Sequence, residues 1–283
     1  MTNTIIALVD GSEFSRPVLE LAAWAAIRNA SPVHLLHVLP RKAPPKSDLS
    51  GAIRLGARSA LLAELAQLDE QRAKLALAQG RAILDDATAI LTDAGVSRVT
   101  AQLRQGDLLE SVAAQEDGAG LIVIGKRGES AGSAPGHLGS NFERIVRASK
   151  LPVLMAPRQK WEGIRRAMIA YDGGASARRA LERVARLPAY RDLAIEIVRV
   201  GSSSDAQASL DEAQQILAAV GLAATTRLLT GTSDEAILSH LKASGADILV
   251  MGAYGHSRIR GLMVGSTTTA MLQKAQLPVL LVR

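Results

Sequence analysis

The chain contains no cysteine among its 283 residues. Disulfide bonds, iron–sulfur clusters, cysteine nucleophiles and zinc sites built on thiolates are therefore excluded. The five histidines form no His-Glu-x-x-His pattern, so we expect neither a metal centre nor a catalytic residue of that type. A cysteine-free chain also fits a reducing compartment, and we expect the protein to be cytoplasmic.

Aromatic residues are scarce as well, at 2% of the chain, although the net charge is +6. Proteins that bind single-stranded nucleic acid commonly stack bases on aromatic side chains. The modest positive charge therefore favours small anionic ligands, and we expect no nucleic-acid partner.

No apolar run approaches the ~20 residues that span a bilayer, so we expect no membrane partner. The stretch Met1–Asp10 has no basic residue before its apolar part and ends on an acid, which argues against a secretory signal. With 48% apolar and 21% charged residues, the composition predicts a globular protein.

An internal repeat is the most informative feature of the sequence. Four motifs of the first part recur in the same order in the second: Ile5–Ser12 with Ala167–Gly174, Leu121–Gly128 with Ile248–Gly255, Leu138–Asn141 with Val264–Thr267, and Leu151–Met155 with Leu277–Leu281. The repeat predicts two tandem domains, residues 1–158 and 159–283.

Strand-like and helix-like patterns alternate within each repeat. The predicted strands are 5–9, 33–39, 98–104, 121–125 and 152–156, then 165–171, 194–200, 223–229, 246–252 and 278–282. The predicted helices are 18–29, 59–93, 107–116 and 140–149, then 175–187, 205–220, 233–244 and 265–274. Continuous apolar strands between helices predict α/β domains, each with a parallel sheet covered on both faces.

The first repeat is longer because of a largely helical insertion at about 41–79. Its leucines follow helical spacing, which indicates a longer crossover helix that caps the domain. A docking surface or lid is the alternative.

Three features of the second repeat converge where ligands bind in open α/β sheets, at the carboxyl ends of the strands. Asp172 ends the first strand, Gly252 and Gly255 follow the fourth, and Gly265-Ser266-Thr267 opens a helix. A carboxylate can accept hydrogen bonds from ribose hydroxyls, and a helix start binds phosphate through free N–H groups. Each feature alone also fits ordinary helix capping or a turn.

Together these residues form G-x2-G-x9-G-[ST] inside a five-stranded repeat that opens with Asp-Gly, and this resembles the nucleotide-binding motif of the universal stress protein family. The resemblance covers the whole chain as two copies. It implies two open twisted five-stranded parallel sheets of strand order 3-2-1-4-5, with helices on both faces, and ATP as the ligand. The site residues that it implies in the second repeat are Ala170, Asp172, Val200, Met251, Gly252, Gly255, Gly265, Ser266 and Thr267.

The first repeat departs from this motif, since ten residues rather than nine separate Gly128 from Gly139. A displacement of ~1 Å is enough to weaken a preorganised site, so we expect nucleotide to bind mainly in the second domain. The corresponding candidates are Asp10, Val38, Ile124, Gly125, Gly128, Gly139, Ser140 and Asn141.

We call the segments Gly125–Gly139 and Gly252–Gly265 the glycine loops. Both contain basic residues: Lys126 and Arg127 in the first, and His256, Arg258 and Arg260 in the second. They either contact phosphates or are solvated, and we favour solvation. Four arginines of one helix also favour a solvated face, with a docking patch as the alternative: Arg178, Arg179, Arg183 and Arg186.

Competing nucleotide motifs are absent, because neither G-x-G-x-x-G after the first strand nor G-x4-G-K-[ST] occurs. We therefore expect an ATP-binding stress-response module that is regulatory rather than enzymatic, with slow hydrolysis at most and with the presence of Mg²⁺ left open. The alternative is an interaction protein of the same fold that needs no nucleotide.

The resemblance also implies that the last strands of the two repeats, at 152–156 and 278–282, pair with each other as an intramolecular pseudo-dimer. It leaves open whether the whole chain forms a homodimer.

Overall fold

The computed structural model describes residues 3–40, 55–128, 138–158, 163–253 and 266–283, with side chains of 55–62 excepted. The strands are β1 Thr4–Leu8, β2 Val33–Leu39, β3 Val99–Gln105, β4 Ala119–Gly125, β5 Val153–Ala156, β6 Arg166–Ala170, β7 Ala194–Val200, β8 Ala224–Leu229, β9 Ile248–Gly252 and β10 Val279–Val282. The helices are α1 Ser15–Asn29, α2 Leu55–Asp93, α3 Leu108–Ala113, α4 Ser140–Ala148, α5 Ala175–Arg186, α6 Ser204–Ala218, α7 Ser233–Ser244 and α8 Ser266–Lys274, with a short 3-10 helix at Pro188–Tyr190.

The central strands are buried along nearly their whole length. All seven residues of β4 are buried, as are the last four of β1 and of β6. Strands of this kind carry apolar side chains on both faces, so helices must cover both faces of the sheet. One core lies beneath α1, α2, α5 and α6, and the other beneath α3, α4, α7 and α8.

The strands form one continuous sheet of ten, in the order β3-β2-β1-β4-β5-β10-β9-β6-β7-β8. Each half is parallel and keeps the predicted order 3-2-1-4-5. The expectation of two separate sheets is corrected in this detail, because β5 and β10 pair antiparallel and join the halves. This is the pseudo-dimer contact that the sequence resemblance implied.

The junction is symmetric about its central residue pair. Leu280 lies opposite Leu154, while Val279 faces Met155 and Leu281 faces Val153. Leu154 and Leu280 are 1% and 3% exposed, so the contact lies inside the core. An edge that would otherwise present unpaired backbone groups is thereby closed within the chain.

The long helix α2 has two different parts. Its last part packs on β2 and β3 through buried Leu84, Ala87 and Leu91. Its earlier part leaves Leu65, Leu68 and Leu75 exposed at 41%, 42% and 69%. The helix is thus a crossover that covers the sheet, as predicted, and extends beyond it; residues 41–54 of the predicted insertion lie outside the described ranges.

No helix within the described ranges combines the length and the apolarity needed to cross a bilayer.

Candidate functional site

A cleft of about 630 Å³ opens at the carboxyl ends of β1, β2 and β4 in the first half of the sheet. Such clefts form where the strand order reverses, here between β1 and β4. The structure brings all eight predicted first-repeat residues to this cleft: Asp10, Val38, Ile124, Gly125, Gly128, Gly139, Ser140 and Asn141. Its volume lies within the ~300–1,000 Å³ common for small-molecule sites.

Asp10 is held in a tight turn between β1 and α1. Its Oδ1 accepts hydrogen bonds from the N–H of Ser12 at 3.0 Å and from the hydroxyl of Ser15 at 3.3 Å. Gly11 adopts φ +79°, a left-handed conformation that explains the glycine after the aspartate. One carboxylate oxygen therefore fixes the turn, and Oδ2 points toward the glycine loop beside Gly128.

The glycine loop approaches this carboxylate so closely that side chains are excluded. A Cβ built on Gly128 would collide with Oδ2 of Asp10, and one on Gly125 would lie 2.7 Å from Cβ of Phe14 and 2.8 Å from the carbonyl oxygen of Arg127. Close packing therefore requires glycine at both positions.

The start of α4 forms the far wall of the cleft. Gly139 is the N-cap residue without a side-chain cap, and its N–H donates to the carbonyl of Lys126 at 3.0 Å. The N–H groups of the next three residues have no acceptor within the helix itself. The positive end of the helix dipole therefore lies at the same cleft as Ser140 and Asn141.

Several further residues line the cleft, and among these only Arg127 was considered from the sequence, as a phosphate contact that was less favoured than solvation. They are chiefly apolar, apart from Ser15, His37 and Arg127: Leu8, Val9, Phe14, Ser15, Val18, Leu36, His37, Leu108, Arg127, Leu138 and Phe142. The ring of His37 is 6% exposed, and its Nδ1 lies 2.7 Å from the carbonyl oxygen of Val9. Leu8 stands two residues before Asp10, as Ala170 does before Asp172, so the repeat itself could have identified it.

Lys126 corrects one expectation, because it is neither a cleft residue nor a solvated one. Its Nζ donates to the carbonyl oxygens of Gln273 at 2.7 Å and Ala275 at 3.1 Å, at the end of α8 in the other half. Burial lowers the pKa of Lys126, and the neighbouring Arg127 lowers it further. Arg127 lines the cleft.

The second half repeats the geometry where it is described. Oδ1 of Asp172 accepts the N–H of Gly174 at 2.8 Å, and Gly173 has φ +80°, as Gly11 does. Gly174, rather than Asp172, is the N-cap of α5. Asp172 is therefore not the N-cap residue that the alternative interpretation expected. One of its carboxylate oxygens instead accepts a hydrogen bond within the turn before α5.

The remaining second-repeat candidates occupy positions equivalent to those of the first. Ala170 and Met251 are buried, Gly252 ends β9, and Ser266 and Thr267 open α8, while Val200 ends β7. A Cβ on Gly252 would lie 2.8 Å from the backbone N of Ala177. Gly255 and Gly265, with the basic residues of that loop, lie outside the described ranges.

The two halves differ in the residues at equivalent positions beside their glycines. Ser176 replaces Phe14 next to Gly252, and Thr268 replaces Phe142, with its hydroxyl 3.4 Å from the carbonyl oxygen of Gly252. The second half therefore carries a hydroxyl side chain at two positions where the first half carries phenylalanine.

Within the described ranges, no three or more His, Asp or Glu side chains come close enough together to hold a metal ion.

The fold defines an α/β protein in which the same parallel five-stranded unit occurs twice, with a cleft at the carboxyl ends of the strands in the first half. The sequence profile of the universal stress protein family matches residues 1–157 and 163–283. The chain belongs to this family.

One relative of full length supports this assignment, and two solved structures share the fold. The universal stress protein Slr1230 of Synechocystis sp. is 37% identical over 285 residues, which cover 99% of both chains. Among solved structures, a universal stress protein from Archaeoglobus fulgidus DSM 4304 aligns with a TM-score of 0.74 and 21% identity, covering 100% of this chain and 99% of the other. A functionally unknown protein, PA1789, from Pseudomonas aeruginosa PAO1 aligns at 0.64 with 17% identity, covering 99% and 92%.

Proposed function

We propose that the chain is an ATP-binding regulatory module, with one nucleotide site in each half of its sheet. The observation that supports this most strongly is the first-half cleft, where a carboxylate, a close-packed glycine loop and a helix start face one cavity. The second-half site binds ATP more strongly than the first, because nine residues separate Gly255 from Gly265, as in the family motif.

Each part of the cleft suits one part of the nucleotide. Apolar groups such as Leu8, Ile124 and Val38 flank a flat base, while Oδ2 of Asp10 accepts a ribose hydroxyl. The helix start at Ser140 meets the phosphates with N–H groups and a hydroxyl. The absence of a side chain at Gly128 lets the glycine loop lie close to the carboxylate of Asp10, so both face the same ligand. Mg²⁺, where it accompanies ATP, is held mainly by the phosphates.

The same arrangement in the second half uses Ala170, Met251 and Val200 around the base, and Asp172 for the ribose. Ser266 and Thr267, with Gly255 and Gly265 of the loop, serve the phosphates. We propose that bound nucleotide changes the partners or assembly of the protein and that hydrolysis is slow.

Matched variants of the two aspartates test the proposal. Asn retains the oxygen that accepts the turn hydrogen bonds and removes the charge, so Asp10→Asn and Asp172→Asn preserve the fold. A hydrogen bond to a charged group contributes about 1.5–3 kcal/mol, so the affected site should lose about tenfold or more in affinity. Calorimetry with ATP should give two sites in the wild type. In Asp172→Asn the stronger of the two sites should lose about tenfold or more in affinity, while the other site is unchanged.

Asp192→Asn is the control, because its side chain is 85% exposed, pairs with Arg28 and does not line the cleft. Undiminished binding in both site variants would show that the carboxylates do not contact ATP. Absence of ATP binding to the wild type, with no nucleotide released on denaturation, would favour the nucleotide-independent alternative.

A further inference from the structure

A second cavity, of about 300 Å³, lies at the junction of the two halves and shares no lining residue with the cleft. It lies between α1 and α5, near the amino ends of β1 and β4, which is the opposite end of those strands. The sheet contributes apolar side chains to its floor: Ile5, Leu121, Leu154 and Leu280. Trp24 and Tyr190 form a wall, with ring centroids 6.2 Å apart and planes at 84°.

Two residues that line this cavity each have a buried side-chain N–H without an acceptor. These groups are the indole N–H of Trp24 and the Nε–H of Arg183, which have no partner among the described residues. Leaving a buried donor unsatisfied destabilises the fold, and more so when the donor belongs to a charged group. A ligand that supplied acceptor oxygens would remove this destabilisation.

The charge of Arg183 is also uncompensated by any carboxylate in the lining. Its Nη2 donates to the neutral carbonyl of Gly120 at 2.5 Å, and none of the described lining residues is acidic. Burial lowers the pKa of Arg183, as expected for a cation without a counter-ion. The expectation that this arginine belongs to a solvated helix face is therefore wrong.

The cavity is not a by-product of the repeat. Counting from Asp10 and Asp172, the first-half equivalent of Arg183 is Leu21, which is fully buried. A leucine at position 183 would satisfy the core, whereas the arginine introduces a buried charge that requires a partner. This asymmetry points to a ligand rather than to packing.

We propose that this junction cavity binds a small organic anion with a compact apolar body, such as a monocarboxylic acid. Trp24 and Arg183 turn their buried N–H groups toward the cavity when the ligand binds, and its oxygens accept them. Its body packs between Leu154, Leu280 and the ring of Tyr190. Both halves of the sheet contribute residues to the site, so a bound ligand contacts both halves and stabilises their junction.

Benzoate is the probe, and neutral benzamide, of nearly the same shape, is its control. The protein has two tryptophans, so ¹⁵N spectra show two indole N–H signals. We expect benzoate to shift one signal saturably, with benzamide at least about tenfold weaker because a charge-assisted hydrogen bond is lost. The shifted signal should be absent in Trp24→Phe, which should also bind benzoate about tenfold more weakly.

Trp161→Phe, which changes a residue outside the described ranges, should leave benzoate binding unchanged, as should Asp10→Asn in the cleft. Arg183→Met, checked for folding by circular dichroism, should abolish the preference for benzoate over benzamide. Equal affinities for the two probes in the wild type would overturn the anion site. The absence of any saturable shift would show that the cavity holds only solvent.

Discussion

At the scale of the residue, single polar contacts set the position of the cleft walls. Asp107 caps α3 by accepting the N–H groups of Leu109 and Glu110, at 2.8 and 3.2 Å. The same carboxylate pairs with Arg144 of α4 at 2.5 Å. It therefore links the helix that carries Leu108 to the helix whose start faces the cleft.

This link predicts a pH dependence of stability. The hydrogen bond from Arg144, followed by those from the α3 backbone, holds the pKa of Asp107 below its ordinary value. The ionised form therefore stabilises the fold above the carboxyl pKa of the unfolded chain, and this contribution is lost as pH falls through the lower, folded pKa.

We expect Asp107→Asn to be less stable than the wild type by a constant amount above about pH 5, with the gap closing at lower pH. Urea unfolding between pH 3 and pH 7 measures it. In an Arg144→Met background the gap should become much smaller, and a gap that persists there would assign the effect to the cap alone.

At the scale of the element, Lys126 links the glycine loop of one half to the end of α8 in the other. A cation at a helix C-terminus is stabilised by the dipole and by the carbonyl oxygens that have no intrahelical donor. We expect Lys126→Met to lower the free energy of unfolding by about 1–2 kcal/mol, as judged from hydrogen bonds of partly exposed charged groups. Chemical denaturation checks this, with the exposed Lys150→Met as the control. Equal stability of both variants would mean that the two carbonyl contacts contribute nothing.

The elements themselves were largely predictable from the sequence, and the misses have local causes. The apolar strands and α7 were predicted at or near their observed bounds, because continuous apolar runs leave little choice. Helix α3 is shorter than predicted, since Asp107 is its cap and the chain turns before Gly118, at φ +78°. Strand β4 begins earlier than expected, because Ala119 still pairs with Thr4; the register then shifts at Gly120, so that Leu121 pairs with Ile5.

The contacts of Lys126 and Arg183 were beyond sequence reasoning. Their partners lie 147 and 63 residues away along the chain. Only the β5–β10 pairing brings α8 beside the first glycine loop and α5 beside β4. The eight first-repeat candidates, by contrast, follow from the family motif, whose strand ends and helix start lie at one edge of a parallel sheet.

At the scale of the whole molecule, the junction makes one sheet from two repeats. The segments Pro152–Met155 and Pro278–Leu281 differ only at their last residue. Their pairing is also symmetric about Leu154 and Leu280. The second half thus offers β5 nearly the surface that another copy of β5 would offer.

We propose that residues 1–158 and 159–283 are separate domains, and this symmetry predicts the behaviour of the first one alone. A chain of residues 1–158 exposes the edge of β5. Its backbone hydrogen-bonding groups are then unpaired, and apolar side chains that are buried in the full chain meet solvent. We expect it to form a twofold dimer in which Leu154 lies opposite Leu154 of the second copy. Light scattering should give twice the fragment mass, while Leu154→Lys in the fragment should give a folded monomer, because two like charges would meet at the axis. A wild-type fragment that is folded and monomeric would show that the β5 edge does not suffice for pairing, and that the junction depends on contacts from outside the strands, such as Lys126 with α8.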